Sequence, residues 1–208
     1  MDPDKPRLLT TKDVDYVVGR YTKRIREEGV TFRSMNSGSP ERQALRHSVH
    51  FETISQTDSI LDFGCGIGNF YEYITARSFE GSYTGVDAVP DYIQHCRKHF
   101  SRGRFELANS LDVSIAEEHD VIVASQVFNA RYPVADNLAV MFDFLDHAFE
   151  KSRRAVSVDM LSSYVDFTEE HLCYYSPEAV FQHAKQLTRY VRLRHDYLPF
   201  EFTIQLFK

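Results

Sequence analysis

The chain has 208 residues, 43% of them hydrophobic, enough to bury one full core and near the upper end of a single compact domain. Its 24 Lys and Arg stand against 30 Asp and Glu, and the net charge of −6 argues against duplex nucleic acid or an anionic membrane as partner. Three cysteines with no C-x-x-C spacing suggest neither a disulfide framework nor a zinc knuckle, and no apolar segment of signal-peptide type opens the chain, so a cytoplasmic protein is expected.

Val14, Val17, Val18, Tyr21 and Ile25 form the apolar stripe of an amphipathic helix that starts near Thr10 or Thr11 and stops at Gly29. A second helix is expected at "SPE", with Ser39 as cap and Pro40 in the first turn. Both precede any strand, so residues 1–57 read as a helical appendage or lid and 58–208 as the core, one compact domain overall. The basic clusters Arg20 to Arg26 and Lys151 to Arg154 read as solvated helix ends.

From residue 59 short apolar runs alternate with helical stripes. The runs are Ser59 to Phe63, Ser82 to Asp87, Gly103 to Leu107, Asp120 to Ser125 and Ala155 to Asp159. Nearly continuous apolar strands suit a parallel sheet covered on both faces, and the alternation implies a doubly wound α/β fold. A further helix starts at Ser176, and the last 19 residues hold two β-rich runs joined by a tight turn near Leu198 and Pro199. So short a connection joins only antiparallel neighbours, and the sheet therefore ends in an antiparallel hairpin.

"ILDFGCGIGNF" closes the first strand with Asp62, then Gly64, Cys65, Gly66 and Gly68. Gly64 and Gly66 let the backbone turn sharply beside a ligand, and Gly68 lets the next helix pack close to its strand. A G-x-G-x-x-G fingerprint would need glycine where Asn69 stands, and Asp62 is unfavourable beside a pyrophosphate. An acid two residues before the first glycine suits a cationic nucleoside without phosphate.

At this point the chain resembles the class I S-adenosylmethionine-dependent methyltransferases, in the short bacterial form with an N-terminal helical lid. "YTGVDAVPDYI" is similar to the family's second motif, which implies Asp87, 19 residues after Gly68, at the ribose diol and Ala88 beside it against the cofactor. "FELANSLDV" is similar to the third, which implies Asn109 and Ser110 at the adenine edge and Leu111 on its face. "DVIVASQVFNA" looks like the fourth strand, with Ser125 and Gln126 beside the transferred methyl. Many members carry an acid where Asn109 stands. The resemblance implies a seven-stranded Rossmann-like fold, S-adenosylmethionine as cofactor and S-adenosylhomocysteine as product. It also implies Arg46 as a fork for the methionine carboxylate, although a surface arginine on an amphipathic helix fits as well.

The acceptor is less legible. Asn129, Tyr164, His171, Tyr174, Tyr175 and His195 lie at strand exits or in the C-terminal segment. Tyr21 suits stripe packing better than a catalytic role. His195 and Asp196 are adjacent on a strand and point to opposite faces, so a structural histidine is the better reading than a dyad. No "NPPY"-type tetrad follows the fourth strand, where position 126 onward reads "QVFN", which lowers nucleic acid as substrate. A small-molecule acceptor methylated on oxygen or nitrogen is expected, without a metal, by a monomer or homodimer. A non-catalytic binding protein on this fold stays open, as does an aminopropyltransferase, for which Asp159 and Glu169 supply few acids.

Overall fold

The computed structural model describes residues 6, 8–35, 38–108 and 115–208. Helix α1 spans Thr11–Glu28. Thr10 accepts the Asp13 N–H and Asp13 reaches back to the Thr10 N–H, a capping box that satisfies two orphan donors. Gly29 ends the helix at φ 70°. A 3₁₀ turn, Phe32–Met35, leads to α2, Pro40–Phe51, which Ser39 caps with Pro40 in the first turn.

Seven strands follow: β1 Ser59–Phe63, β2 Ser82–Asp87, β3 Arg104–Leu107, β4 His119–Ala124, β5 Ser152–Leu161, β6 Tyr190–Leu198 and β7 Glu201–Phe207. They form one sheet in the order β3-β2-β1-β4-β5-β7-β6. The first five are parallel, and β7 runs antiparallel between β5 and β6, so the terminal hairpin is inserted into the sheet with β6 at its edge. The other helices are α3 Asn69–Thr75, α4 Pro90–His99, α5 Asn137–Lys151 and α6 Pro177–Leu187. β5 is longer than its apolar run, Ala155 to Asp159, because it pairs with β4 from Ser152 onward and with β7 through Leu161.

Each central strand feeds two cores. Leu61, Ile122 and Val156 point into the layer of α5 and α6, where Phe144, Leu145 and Val180 are buried. Ile60, Val121 and Val123 point the other way, against Phe70, Ile74 and Ile93 of α3 and α4. Fully burying each such side chain contributes about 1.5–3 kcal/mol, and burial on both faces is why the strands read as unbroken apolar runs.

α2 is built into the layer over β5 and β6: Val49, His47 and His50 are buried. α1 differs, since its apolar stripe is only half-buried and its one buried side chain is Asp13. That carboxylate accepts the N–H of Val134 at 2.8 Å and of Ala135 at 3.3 Å, tying the helix to the segment before α5. Burial opposes its charge, but these donors and Thr10 hold the carboxyl below its usual value.

Of the second basic cluster only Lys151 is a helix end, closing α5. Arg153 and Arg154 lie on β5, where Arg154 pairs with Asp58 and Arg153 approaches Glu118 at 3.4 Å. Among the described residues no helix is long and apolar enough to cross a membrane, and no group of three or more His, Cys, Asp or Glu converges as for a metal.

Candidate active site

The loop after β1 folds over the end of β2 because the N–H groups of Gly64 and Cys65 both donate to the Val86 carbonyl, at 2.8 and 3.0 Å. Gly64, Gly66 and Gly68 have φ of 79°, 54° and 84°, a region that side chains disfavour. Space excludes a side chain as well: a Cβ would lie 2.5 Å from Val127 at position 64, 2.9 Å from the Met35 sulfur at 66 and 2.4 Å from Phe100 at 68. Gly66 thus admits Met35, whose sulfur accepts the Ile67 N–H at 3.4 Å.

Asp87 locks this loop to the β2 exit, accepting the N–H of Gly66 and of Val89, each at 2.9 Å. Burial raises its carboxyl, with those bonds opposing. Each oxygen retains a lone pair, so Asp87 can still accept from a ribose diol. Asp62 behaves otherwise. It is 3% exposed, accepts the Tyr83 hydroxyl and lines neither cavity described below. Burial above all, together with Asp87 and Asp159, pushes its carboxyl up to about 7, against the Tyr83 bond.

Between Asp87 and the β4 exit lies a cavity of about 150 Å³. Ala88, Val89, Ala108 and Val127 give it apolar walls, Ser125 and Gln126 stand at one end, and Val14, Val17 and Tyr21 of α1 line it from above. The expected adenine contacts Asn109, Ser110 and Leu111 fall outside the described residues. Cys65 and Gly68 line neither this cavity nor the second one described below. Cys65 is buried in the α3/α4 core with its thiol toward the Gly66 carbonyl, and Gly68 serves the packing of α3 against Phe100.

The β4 exit is held from below by a buried polar network. Gln126 is non-glycine at φ 62°, an uncommon conformation that the surroundings must over-determine. Asp159 does so: its Oδ1 accepts the Gln126 N–H at 2.9 Å and the side-chain amide at 2.8 Å. Its Oδ2 accepts Ser125 at 2.5 Å and bonds His50 at 2.8 Å, and His50 meets Ser157 at 2.7 Å on its other ring nitrogen. Burial would raise the Asp159 carboxyl, yet His50, Arg46 and Ser125 hold it down at about 2. The Gln126 amide also donates to Glu201 at 2.9 Å, and its oxygen accepts from Asn129 at 2.8 Å.

A second cavity of about 200 Å³ shares Val17, Tyr21, Met35 and Gln126 with the first. It is lined by Arg20, Arg24, Arg42 and Arg46 with a single acid, Glu201. Arg46 is not a surface residue: it is 1% exposed and donates to Glu201 at 3.0 Å, beside Arg42 at 2.7 Å. Nor are Arg20 and Arg24 a solvated helix end, since both are half-buried and face this cavity. Tyr21 combines both readings, meeting Tyr92 edge-on with ring centroids 6.0 Å apart while lining both cavities.

The remaining candidates do not converge. His195 sits on edge strand β6 near Tyr164 and Phe202, and Tyr164 is 59% exposed and bonded to Glu178. Neither lines either of these two cavities. Tyr175 is buried with its hydroxyl on the Phe128 carbonyl at 2.7 Å, while Tyr174 accepts the Glu169 N–H and His171 lies 3.4 Å from Glu169. Asn129 alone of this group reaches the second cavity. The sequence does not single out Asp13, Met35 or Glu201 as cavity residues: Thr10-x-x-Asp13 signals only a helix cap, and Met35 and Glu201 stand in no motif.

Comparison with known proteins agrees with this geometry. A family model described as a methyltransferase domain matches residues 60–148. A Mycobacterium tuberculosis protein assigned as a methyltransferase is 36% identical over 154 residues, covering 70% of this chain and 90% of that one. Among solved structures, the DhpI–S-adenosylhomocysteine complex has a TM-score of 0.70 at 12% identity over 95% of this chain and 97% of its own. An S-adenosylmethionine-dependent methyltransferase from Archaeoglobus fulgidus has 0.65 at 16%, over 82% and 95%. At such identities these two carry the fold alone. The strand order, the glycine loop locked by the acid ending β2, and the relative matched over nine-tenths of its length together place this chain in the class I S-adenosylmethionine-dependent methyltransferase family.

Proposed function

We propose that this methyltransferase moves the methyl group of S-adenosylmethionine to an oxygen or nitrogen of a small-molecule acceptor, leaving S-adenosylhomocysteine. The observation that carries the reading is the pair of joined cavities: the first spans Asp87 to Gln126, and the second begins where Tyr21, Met35 and Gln126 are shared. The glycine cradle and the apolar walls fit a nucleoside, with Asp87 on its ribose hydroxyls and Arg46 as the fork for the methionine carboxylate. The bound cofactor supplies a methyl on a sulfonium, an activated leaving group. The chain's own task is to align the acceptor and exclude water, and alignment alone contributes on the order of 7–11 kcal/mol.

α1 acts as the lid in this reading. Its stripe of Val14, Val17 and Tyr21 faces the cleft, Val17 touching the core as well, and Asp13 anchors the helix beside it. A cavity of about 200 Å³ favours a small acceptor, and the net charge of −6 disfavours nucleic acid. S-adenosylhomocysteine should raise the melting temperature, as any ligand selective for the folded state does, and Asp87→Ala should remove most of the rise. No shift at millimolar ligand would overturn the assignment.

A further inference from the structure

We propose that the acceptor is an oxyacid anion, a carboxylate or phosphate-type group held in the second cavity by Arg20 and Arg24 and methylated on one of its own oxygens. This rests on the methyltransferase reading above and narrows it. The chain is acidic as a whole, yet this cavity gathers four guanidinium groups around one carboxylate. Glu201 is taken by Arg42 and Arg46. Among the described residues Arg20 and Arg24 have no carboxylate within ion-pair distance.

Their present bonds go to main-chain carbonyls. Arg20 reaches the His171 oxygen at 3.4 Å, and Arg24 reaches those of Ser34 and Arg33 at 3.1 and 3.0 Å. A guanidinium carries five N–H donors, so both forks keep donors to spare. The two residues stand one helical turn apart on α1, on either side of Tyr21, and both side chains border the cavity. A bound cofactor adds a sulfonium and an ammonium against one carboxylate, so the space becomes more positive when loaded.

The cavity also lacks a free base among its described residues. Glu201 already accepts Arg42, Arg46 and the Gln126 amide. Gln126 and Asn129 are neutral amides bonded to each other, and burial keeps the Tyr21 hydroxyl protonated by raising it further. A neutral alcohol would need a base to take its proton, whereas an oxyanion needs none. One oxygen of the anion is pinned by the arginines while another forms the new O–C bond. The C–S bond breaks with its electron pair returning to sulfur, the two opposite charges cancel, and no proton moves.

The test uses the full chain saturated with S-adenosylhomocysteine. Inorganic phosphate and benzoate, each compared with chloride at equal ionic strength, should raise the melting temperature further. Arg20→Gln should abolish that second rise while keeping the rise due to S-adenosylhomocysteine, and Arg24→Gln, where it folds, should do the same. With labelled methyl donor, carboxylic acids and phosphate monoesters should accept label where their amides and neutral esters do not. Alkali-labile label marks the carboxylate source and alkali-stable label the phosphate. On the best acceptor Arg20→Gln should raise KM by roughly tenfold or more, the loss expected for a hydrogen bond to a charged group. Label entering only amines or neutral alcohols, or an anion response unchanged in Arg20→Gln, overturns the proposal. Failure of S-adenosylhomocysteine alone to shift the wild type would instead sink the methyltransferase reading, and this inference with it.

Discussion

Asp62→Asn tests a charge that the fold holds against its preference. The Asp62 carboxyl ionises near 3.8 when solvated and near 7 in the folded chain, chiefly because it is buried. At about 1.36 kcal/mol per pKa unit the difference of about 3 units is worth about 4 kcal/mol. The folded value is raised, so the stabilisation is complete below the unfolded value and is lost as pH rises through about 7. Asparagine carries no charge and its oxygen can still accept the Tyr83 hydroxyl. The variant should therefore match the wild type near pH 4 and exceed it by up to about 4 kcal/mol near pH 8. Urea midpoints of both proteins across that range, with m-values unchanged, measure the difference directly. A gap that does not vary with pH, or a variant less stable than wild type at alkaline pH, refutes the reasoning.

Asp159→Asn should act in the opposite sense. Its folded carboxyl is held down at about 2, so it contributes roughly 2 kcal/mol that is present above the unfolded value and lost as pH falls through about 2. The acid limb of the wild type should be steeper than that of the variant, and parallel limbs would contradict this. Gly68→Ala forces a side chain to φ 84° and toward Phe100, and should destabilise by about 2–3 kcal/mol while reducing the S-adenosylhomocysteine thermal shift. Asp13→Ala removes the carboxylate that accepts the Thr10, Val134 and Ala135 N–H groups, a loss of about 2–4 kcal/mol. Limited proteolysis should then cut α1 before the core unfolds, and an unchanged cleavage pattern would count against the anchor.

Element order and the cofactor loop were legible in the sequence because each has a short-range cause. Ser39 and Ser176 before Pro-Glu mark helix starts by capping, and both cap as expected. The apolar runs announce strands buried on two faces, and the tight turn near Leu198 forces the terminal hairpin. Glycines at positions 64, 66 and 68 with an acid ending β2 locate the loop, because left-handed backbone and the Gly66–Asp87 bond need those residue types. Short-range patterns therefore carry the fold and the family.

The lining of the two cavities follows instead from long-range contacts. Asp13 binds residues 121 and 122 positions away, His50 meets Asp159 across 109, and Glu201 gathers Arg46 across 155. Such pairings join elements whose proximity arises when β7 inserts beside β5 and the first two helices fold back over the sheet. The same folding turned Arg20 and Arg24 from an ordinary charged helix face into a cavity wall, and moved His195 to an edge strand away from it. Local patterns report backbone conformation and burial, whereas a cavity is made by surfaces brought together from distant parts of the chain, and its charge is set by which residues meet there.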